Sequence, residues 1–370
     1  MHIKAVFPGK YIQGEGVLNE LPDLIKLLGS KGMILASKTV KDKVIPKFAP
    51  DLSSHSIPIE LFHGECCEVE LKRVNDIIES NGIDVIIGMG GGKTIDTAKI
   101  AADRASISVI VVPTIASSDA PCSGCAVTYT NDGIFEAVHY QKMNPQAVLV
   151  DLNVIAESPT RFLVSGMGDA LATWFEARSC RLTQSMNECG GLSTKAGLIL
   201  ARLCYDTLLK CGKSALFANE DHEITPDFSN IVEANILLSG IGFESSGLAA
   251  AHSIHNGLTA LDGTHAYYHG EKVAFGVLAG LHLTDAPVEE LETVYSFCEE
   301  IGLPTTLDDI GLLDVTEDEL MLVAEKSCIA GASIHHEAGE ITPKRVFDAI
   351  IKANDFGENR KHHHDENCNH

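Results

Sequence analysis

DVIIGMGGGKTIDTAKIAADR, residues 84–104, is the stretch whose reading decides the fold. It opens as a short apolar run, passes through a glycine cluster and continues as a helical pattern. A strand, a tight turn and a helix in that order are the building unit of a parallel α/β sheet. Consecutive glycines let the backbone approach a phosphate, and the following helix offers N–H groups and the positive end of its dipole. Neither standard nucleotide motif fits. A Walker A loop needs glycine at the position of Ile87, and the G-x-G-x-x-G fingerprint needs a third glycine where Lys93 stands. A tight strand-to-helix turn alone would also use these glycines. The preferred reading is a phosphate-cradling loop through Gly90, Gly91 and Gly92 that follows neither standard motif.

The same grammar repeats on both sides of this unit. GMILAS (32–37), SIPIELF (56–62), ISVIVVP (107–113) and QAVLVD (146–151) read as strands. VELKRVNDIIESNG (69–82) places Val69, Val74, Ile77 and Ile78 on one helical face, with Gly82 suited to a C-terminal cap. Near-continuous apolar strands separated by helices imply a parallel sheet covered on both faces, with ligands at the strands' carboxyl ends. After Asp151 the pattern changes. ESPTRFLVSGMGDALATWFEARSC opens with Ser158 and Pro159, a helix-cap and first-turn pair, and long helical stretches follow. The expected architecture is an α/β, Rossmann-like domain over 1–158, an all-α domain over 159–360 and a polar, flexible tail over 361–370.

At 370 residues, 45% apolar and 21% charged, the chain is an ordinary globular one with room for two cores. A net charge of −23 argues against nucleic-acid and anionic-membrane partners. No apolar run reaches membrane-spanning length, and MHIKAVFPGK lacks the features of a signal peptide, so a cytoplasmic setting is expected. Eleven cysteines, an odd and scattered set, do not form a disulfide framework. Cys122 and Cys125 make a C-x-x-C pair but lack the second ligand pair of a zinc site. The His-rich end KHHHDENCNH reads as tail, not site.

VVPTIASSDAPCSGCAVTY (111–129) sets Thr114, Ser117, Ser118 and Ser123 at the carboxyl edge of the expected sheet, beside the glycine loop. Each hydroxyl singly would serve a loop's backbone; together they read as cofactor contacts. Asp119, the one carboxylate among them, is a candidate for gripping a substrate hydroxyl. LAAAHSIHNGLTALDGTHAYYHGEK (248–272) holds His252, His255, His265 and His269 in apolar surroundings. Neutral imidazole is the commonest metal ligand. GMGDALATWFEA (166–177) adds Asp169 on an otherwise apolar helix, where a carboxylate needs a partner, a helix dipole or a metal. Asp169, His252 and His269 would leave one coordination position open, as in a catalytic zinc site.

GGGKTIDTAK, PTIASSDAPCS, GMGDALATWFEA, GFESSGLAAAHSIHNGLTAL and YYHGEKVAFG together resemble the glycerol dehydrogenase branch of the iron-containing (group III) alcohol dehydrogenase superfamily. The resemblance runs from PGKYIQG (8–14) almost to the C-terminus. It implies a dehydroquinate synthase-like two-domain architecture with an interdomain active site, and NAD as hydride acceptor. It also implies one zinc per subunit on Asp169, His252 and His269, with iron or another divalent metal as alternatives. Gly92, Lys93, Thr114, Ser117, Ser123, Cys125 and Tyr129 match the family's cofactor positions, and Asp119 matches its glycerol-contacting aspartate. His255, one turn after His252, is expected to line the substrate cleft or orient a water, and His265 to be a loop residue. Where iron-dependent relatives carry a fourth ligand, four residues after the metal-binding aspartate, this chain has Thr173, which favours zinc. Homo-oligomers, often octamers, are the family's assemblies.

The implied reaction is reversible oxidation of glycerol and related 1,2-diols to dihydroxyacetone and other hydroxyketones. The metal acts as Lewis acid on a hydroxyl, and hydride passes to nicotinamide. A lyase of the dehydroquinate synthase type would need more cationic side chains than Lys93 and Lys272 supply. A P-loop phosphotransferase would need the glycine spacing that is missing. Close relatives place an aspartate on the adenosine ribose at the end of the strand-like run that GMILAS matches. Here that position is Ser37, followed by Lys38, so a weakened exclusion of NADP is expected.

Overall fold

The computed structural model describes residues 2–368. The strands are β1 (Tyr11–Gly14), β2 (Gly32–Ala36), β3 (Ile59–Leu61), β4 (Val85–Gly90), β5 (Ser108–Pro113), β6 (Cys125–Tyr129), β7 (Phe135–Tyr140) and β8 (Ala147–Asp151). Helices of eight residues or more are α1 (Leu21–Leu28), α2 (Glu68–Asn81), α3 (Gly92–Ala105), α4 (Thr160–Thr183), α5 (Lys195–Glu220), α6 (Pro226–Glu233), α7 (Ser239–Ser246), α8 (Ala250–Leu258), α9 (His269–Leu283), α10 (Val288–Ile301), α11 (Glu317–Ser327) and α12 (Pro343–Cys368). Six strands form one parallel sheet in the order β1-β8-β5-β4-β2-β3, and β6 pairs with β7 as a separate antiparallel hairpin. The α/β half followed by a helical half is the architecture that the sequence implies.

The five strand runs read from the sequence all lie in the sheet; β2, β4, β5 and β8 are apolar and buried on both faces, whereas β3, at the sheet's edge, is half-exposed. Ile34, Ile87, Met89, Ile110, Val112 and Leu149 share one core with Leu21, Leu24 and Ile25 of α1. Gly82, at φ 61°, ends α2 in the left-handed conformation expected of its cap. The sequence reading does not find β1 or the β6–β7 hairpin. Strand β1 has four half-buried residues, and β7 is mostly exposed, so neither carries a strong apolar alternation.

The chain divides into two compact units, Val6–Leu163 with Phe217–Ile241, and Met1–Ala5 with Val164–Leu216 and Gly242–His370. The 217–241 segment is helical, yet its polar side chains bond within the sheet's unit. Asn219 and Asn235 donate to the carbonyls of Ala156 (2.9 Å), Ala116 (3.0 Å) and Leu163 (3.1 Å). Helix α12 extends through residues read from the sequence as tail, and residues 369 and 370 lie outside the described ones. Among the described residues no helix is long and apolar enough to cross a membrane.

Candidate active site

In the helical unit, three helices converge through glycines. A Cβ on Gly168 would run into the Gly270 carbonyl, and one on Gly270 into the Ser165 carbonyl. Helices α4 and α9 therefore cross at backbone contact, and the residues beside those two glycines are Asp169 and His269. On the other side of α9, a Cβ on Gly276 would strike the Ala251 carbonyl. That contact brings in α8 with His252, the residue after Ala251.

The result is a compact donor set. Asp169 Oδ1 lies 3.1 Å from His269 Nε2 and 3.4 Å from His252 Nε2. One ligand atom from each residue lies within 4.8 Å of the others, the one such group among the described residues. Ligands about 2.1 Å from a tetrahedral centre sit roughly 3.4 Å apart, so a carboxylate oxygen and two imidazole nitrogens at these spacings fit a zinc-sized cation. Thr173, one turn beyond Asp169, is buried and adds no ligand from the fourth position.

Burial alone would push the Asp169 carboxyl up, but the His269 and His252 imidazoles outweigh it and hold it well below the usual carboxylate range. Burial likewise opposes charge on His252, yet Glu176 and Asp169 beside it raise that imidazole well above its ordinary value. His255 moves the other way, pushed down first by burial and then by His269 and His252. Its Nε2 lies 3.1 Å from His269 Nδ1, and its Nδ1 lies 3.0 Å from Asn256 Oδ1. His265, expected in a loop, stands exposed in a short 3-10 turn (Asp262–Ala266), with Nε2 3.0 Å from the Thr259 carbonyl.

Glu176 escapes the sequence reading. Its Oε2 lies 2.7 Å from His252 Nδ1, while Oε1 accepts from the amides of Ala249 (2.9 Å) and His252 (3.0 Å). The signal for it is a second carboxylate seven residues after Asp169, two turns along an apolar helix and hence on the same face.

The sheet unit carries the nucleotide candidates. The glycines divide by role. A Cβ on Gly88 would sit 2.7 Å from Ala98 Cβ, so Gly88 allows α3 to pack on β4. A Cβ on Gly90 would meet the Thr94 side chain at 2.9 Å, and on Gly91 the Ile115 side chain at 3.3 Å, whereas on Gly92 it would meet nothing within 4 Å. Gly92 opens helix α3 and faces open space, so that an anion has room to approach the first turn. Thr114 follows β5 and bonds its amide to the Gly90 carbonyl at 3.1 Å, which ties the next loop to the glycine turn. Ser117 is half-buried two residues beyond Ile115.

Lys93 is ion-paired with Glu65 at 2.6 Å and lies 4.8 Å from the centre of the Tyr129 ring. Burial pushes the Tyr129 hydroxyl up to about 12, and it remains a neutral hydroxyl at neutral pH. Ser123 is buried, accepts from Lys99 Nζ at 3.3 Å and donates to the Ala120 carbonyl at 3.2 Å. Cys125 begins β6 and donates Sγ–H to Ser123 Oγ at 3.4 Å, and Cys122 and Cys125 belong to no ligand cluster among the described residues. Ser37 follows β2 and accepts from the Val40 amide at 3.3 Å, while Lys38 pairs with Asp42. Asp119 is buried and accepts from Ser239 Oγ at 3.0 Å, both within the sheet's unit.

The sequence profile of the iron-containing alcohol dehydrogenases matches residues 8–152. The chain is 49% identical to a glycerol dehydrogenase of Thermotoga maritima, covering 96% of this chain and 98% of the relative. It is 46% identical to a glycerol dehydrogenase of Citrobacter freundii, over 95% and 97% of the two chains. The crystal structure of glycerol dehydrogenase from Schizosaccharomyces pombe superposes with a TM-score of 0.92 at 38% identity, covering 96% of this chain and 91% of that one. Likeness of this extent, in sequence and in fold, identifies an oxidoreductase acting on CH–OH groups: the chain belongs to the iron-containing alcohol dehydrogenase family.

Proposed function

We propose that this enzyme catalyses the reversible, NAD-dependent oxidation of glycerol and related 1,2-diols to dihydroxyacetone and other hydroxyketones, with zinc on Asp169, His252 and His269. The observation that carries this reading is the convergence of a buried carboxylate oxygen with two imidazole nitrogens, one half-buried and one exposed, at spacings suited to a small divalent cation. The identity to glycerol dehydrogenases over nearly the whole chain supports the choice of substrate. Three ligands of mixed N and O character, with Thr173 at the fourth position, favour zinc, although iron or another divalent metal fits the same donors.

The chain's own groups have distinct tasks. Gly90, Gly91 and Gly92 present the start of α3 to the nucleotide phosphates, with Lys93, Thr114, Ser117, Ser123, Cys125 and Tyr129 around the nucleotide. Ser37 takes a ribose hydroxyl. Asp119, oriented by Ser239, accepts a hydrogen bond from a substrate hydroxyl and fixes which carbon is presented. Asp169, charged and buried, keeps a negative counter-charge beside the two imidazoles. When bound, NAD supplies the hydride acceptor and the divalent metal a Lewis acid for the reacting hydroxyl. The proposed assembly is a homo-oligomer, an octamer as in the family, in the cytoplasm.

The test is NADH formation, followed by its near-ultraviolet absorbance, with glycerol, 1,2-propanediol and 2,3-butanediol, and NADH consumption with dihydroxyacetone. Zinc-dependent turnover of the polyols is expected. No turnover of any of them by zinc-loaded protein would overturn the proposal.

A further inference from the structure

We propose that Glu176 and His255 are positioning residues that lock the two ligand imidazoles in the tautomer a cation requires, each from the ring nitrogen opposite the ligating one. The inference rests on the Asp169–His252–His269 set being a metal site. A neutral imidazole has one N–H and one lone pair, so whichever nitrogen carries hydrogen cannot ligate. Both Nε2 atoms face Asp169 Oδ1, so both Nδ1 atoms must hold the hydrogen.

For His252 the hydrogen's acceptor is a carboxylate, with Glu176 Oε2 at 2.7 Å from Nδ1. The same carboxylate takes the Ala249 and His252 amides on Oε1, so it holds the ring and the start of helix α8 together. Three N–H groups converge on its two oxygens, which an acceptor-only group satisfies completely. For His269 the acceptor is a second histidine. Asn256 Oδ1, 3.0 Å from His255 Nδ1, accepts that nitrogen's hydrogen. His255 Nε2 is then a lone pair, and at 3.1 Å it accepts from His269 Nδ1–H. Thus one carboxylate oxygen and one imidazole nitrogen set the two rings. The second explains a histidine in this segment that ligates nothing.

The experiment compares zinc affinity, by competition with a chromophoric chelator, in the full-length protein and two variants. Glu176→Gln offers one oxygen where two are needed. When its amide N–H faces His252 Nδ1, the ring's hydrogen is driven to Nε2. His255→Phe keeps a ring but removes the acceptor for His269. Zinc affinity should fall about ten- to a hundredfold in Glu176→Gln and by about tenfold in His255→Phe. The visible spectrum of the cobalt-substituted protein should shift in both. Ser179→Ala, on the same helix as Glu176, removes a hydrogen bond to the buried Glu337 and should leave zinc affinity unchanged. Parent-like affinity in either folded variant, or an equal fall in Ser179→Ala, overturns the proposal. If Glu176→Gln fails to fold, His255→Phe decides alone. A parent that binds no zinc, or binds it equally after Asp169→Ala, refutes the underlying metal-site reading instead.

Discussion

Gly88 and Gly92 lie on either side of the turn that starts helix α3, and alanine at each should fail in a different way. At Gly88 the new Cβ would sit 2.7 Å from Ala98 Cβ, about 1 Å inside an ordinary carbon–carbon contact. Both atoms belong to packed elements, so α3 must back away from β4. Overpacking of this kind costs about 1–3 kcal/mol, and the thermal midpoint should drop by several degrees. At Gly92 the Cβ would meet nothing within 4 Å, and the backbone is outside the left-handed region. Alanine there removes unfolded-state freedom and should leave stability unchanged or raise it by about 0.4–1 kcal/mol. Its effect should fall on the nucleotide. A methyl group in the anion's path to the first-turn amides removes a charge-assisted hydrogen bond of about 1.5–3 kcal/mol, about ten- to a hundredfold in Kd. Fluorescence titration with NADH, alongside thermal unfolding, reads both quantities. Gly92→Ala protein that is stable and binds NADH like the parent would show that the phosphates do not sit at this helix start.

Three further outcomes are expected. Gly270→Ala, which replaces no ligand, should push α9 off α4 and cut zinc binding at least tenfold, read by the same chelator competition; a parent-like affinity would mean that the helix crossing does not set the donor spacing. Ser37→Asp should lower kcat/KM with NADP by about one to two powers of ten while sparing NAD, and no change in that ratio would place the ribose elsewhere. Asp96 is buried with one carboxylate oxygen on the Val127 amide, and burial, partly offset by Lys99, raises it to about 6. The folded protein therefore binds this proton more tightly than the unfolded chain. The stabilisation is full below about pH 4 and is lost as pH rises through 6. Asp96→Asn should flatten that slope in denaturant titrations across this range, and an unaltered slope would refute the assignment.

The sheet was legible because buried parallel strands are apolar on both faces and need no alternation to be seen, as DVIIGMG and ISVIVVP show. Strand β7 has the opposite character. Phe135, Val138 and Tyr140 are exposed, and only its pairing with β6 makes it a strand. Tertiary hydrogen bonding of this kind leaves no period in the sequence. The 217–241 segment is a similar case. Its helical pattern is plain, but the carbonyls that Asn219 and Asn235 reach are 63 to 119 residues away.

The candidate metal set shows the limit more sharply. Four histidines within 18 positions invite a cluster, and spacing alone would pair His252 with His255, one helical turn apart. The structure instead sets His252 against His269, because Gly276 lets α9 slide onto Ala251 and Gly270 lets it press on Ser165. Each of the three candidate ligands lies within one residue of a backbone contact that only glycine permits, directly or through its partner helix. A histidine or aspartate beside such a glycine is thus a better clue to this site than the number of histidines. A glycine in an apolar helix weakens it by about 1 kcal/mol, so its presence at Gly168, Gly270 and Gly276 calls for a compensating close contact. What cannot be read from one chain is which helices those glycines press together. That missing fact separates His269, a candidate ligand, from His255, which meets it from behind.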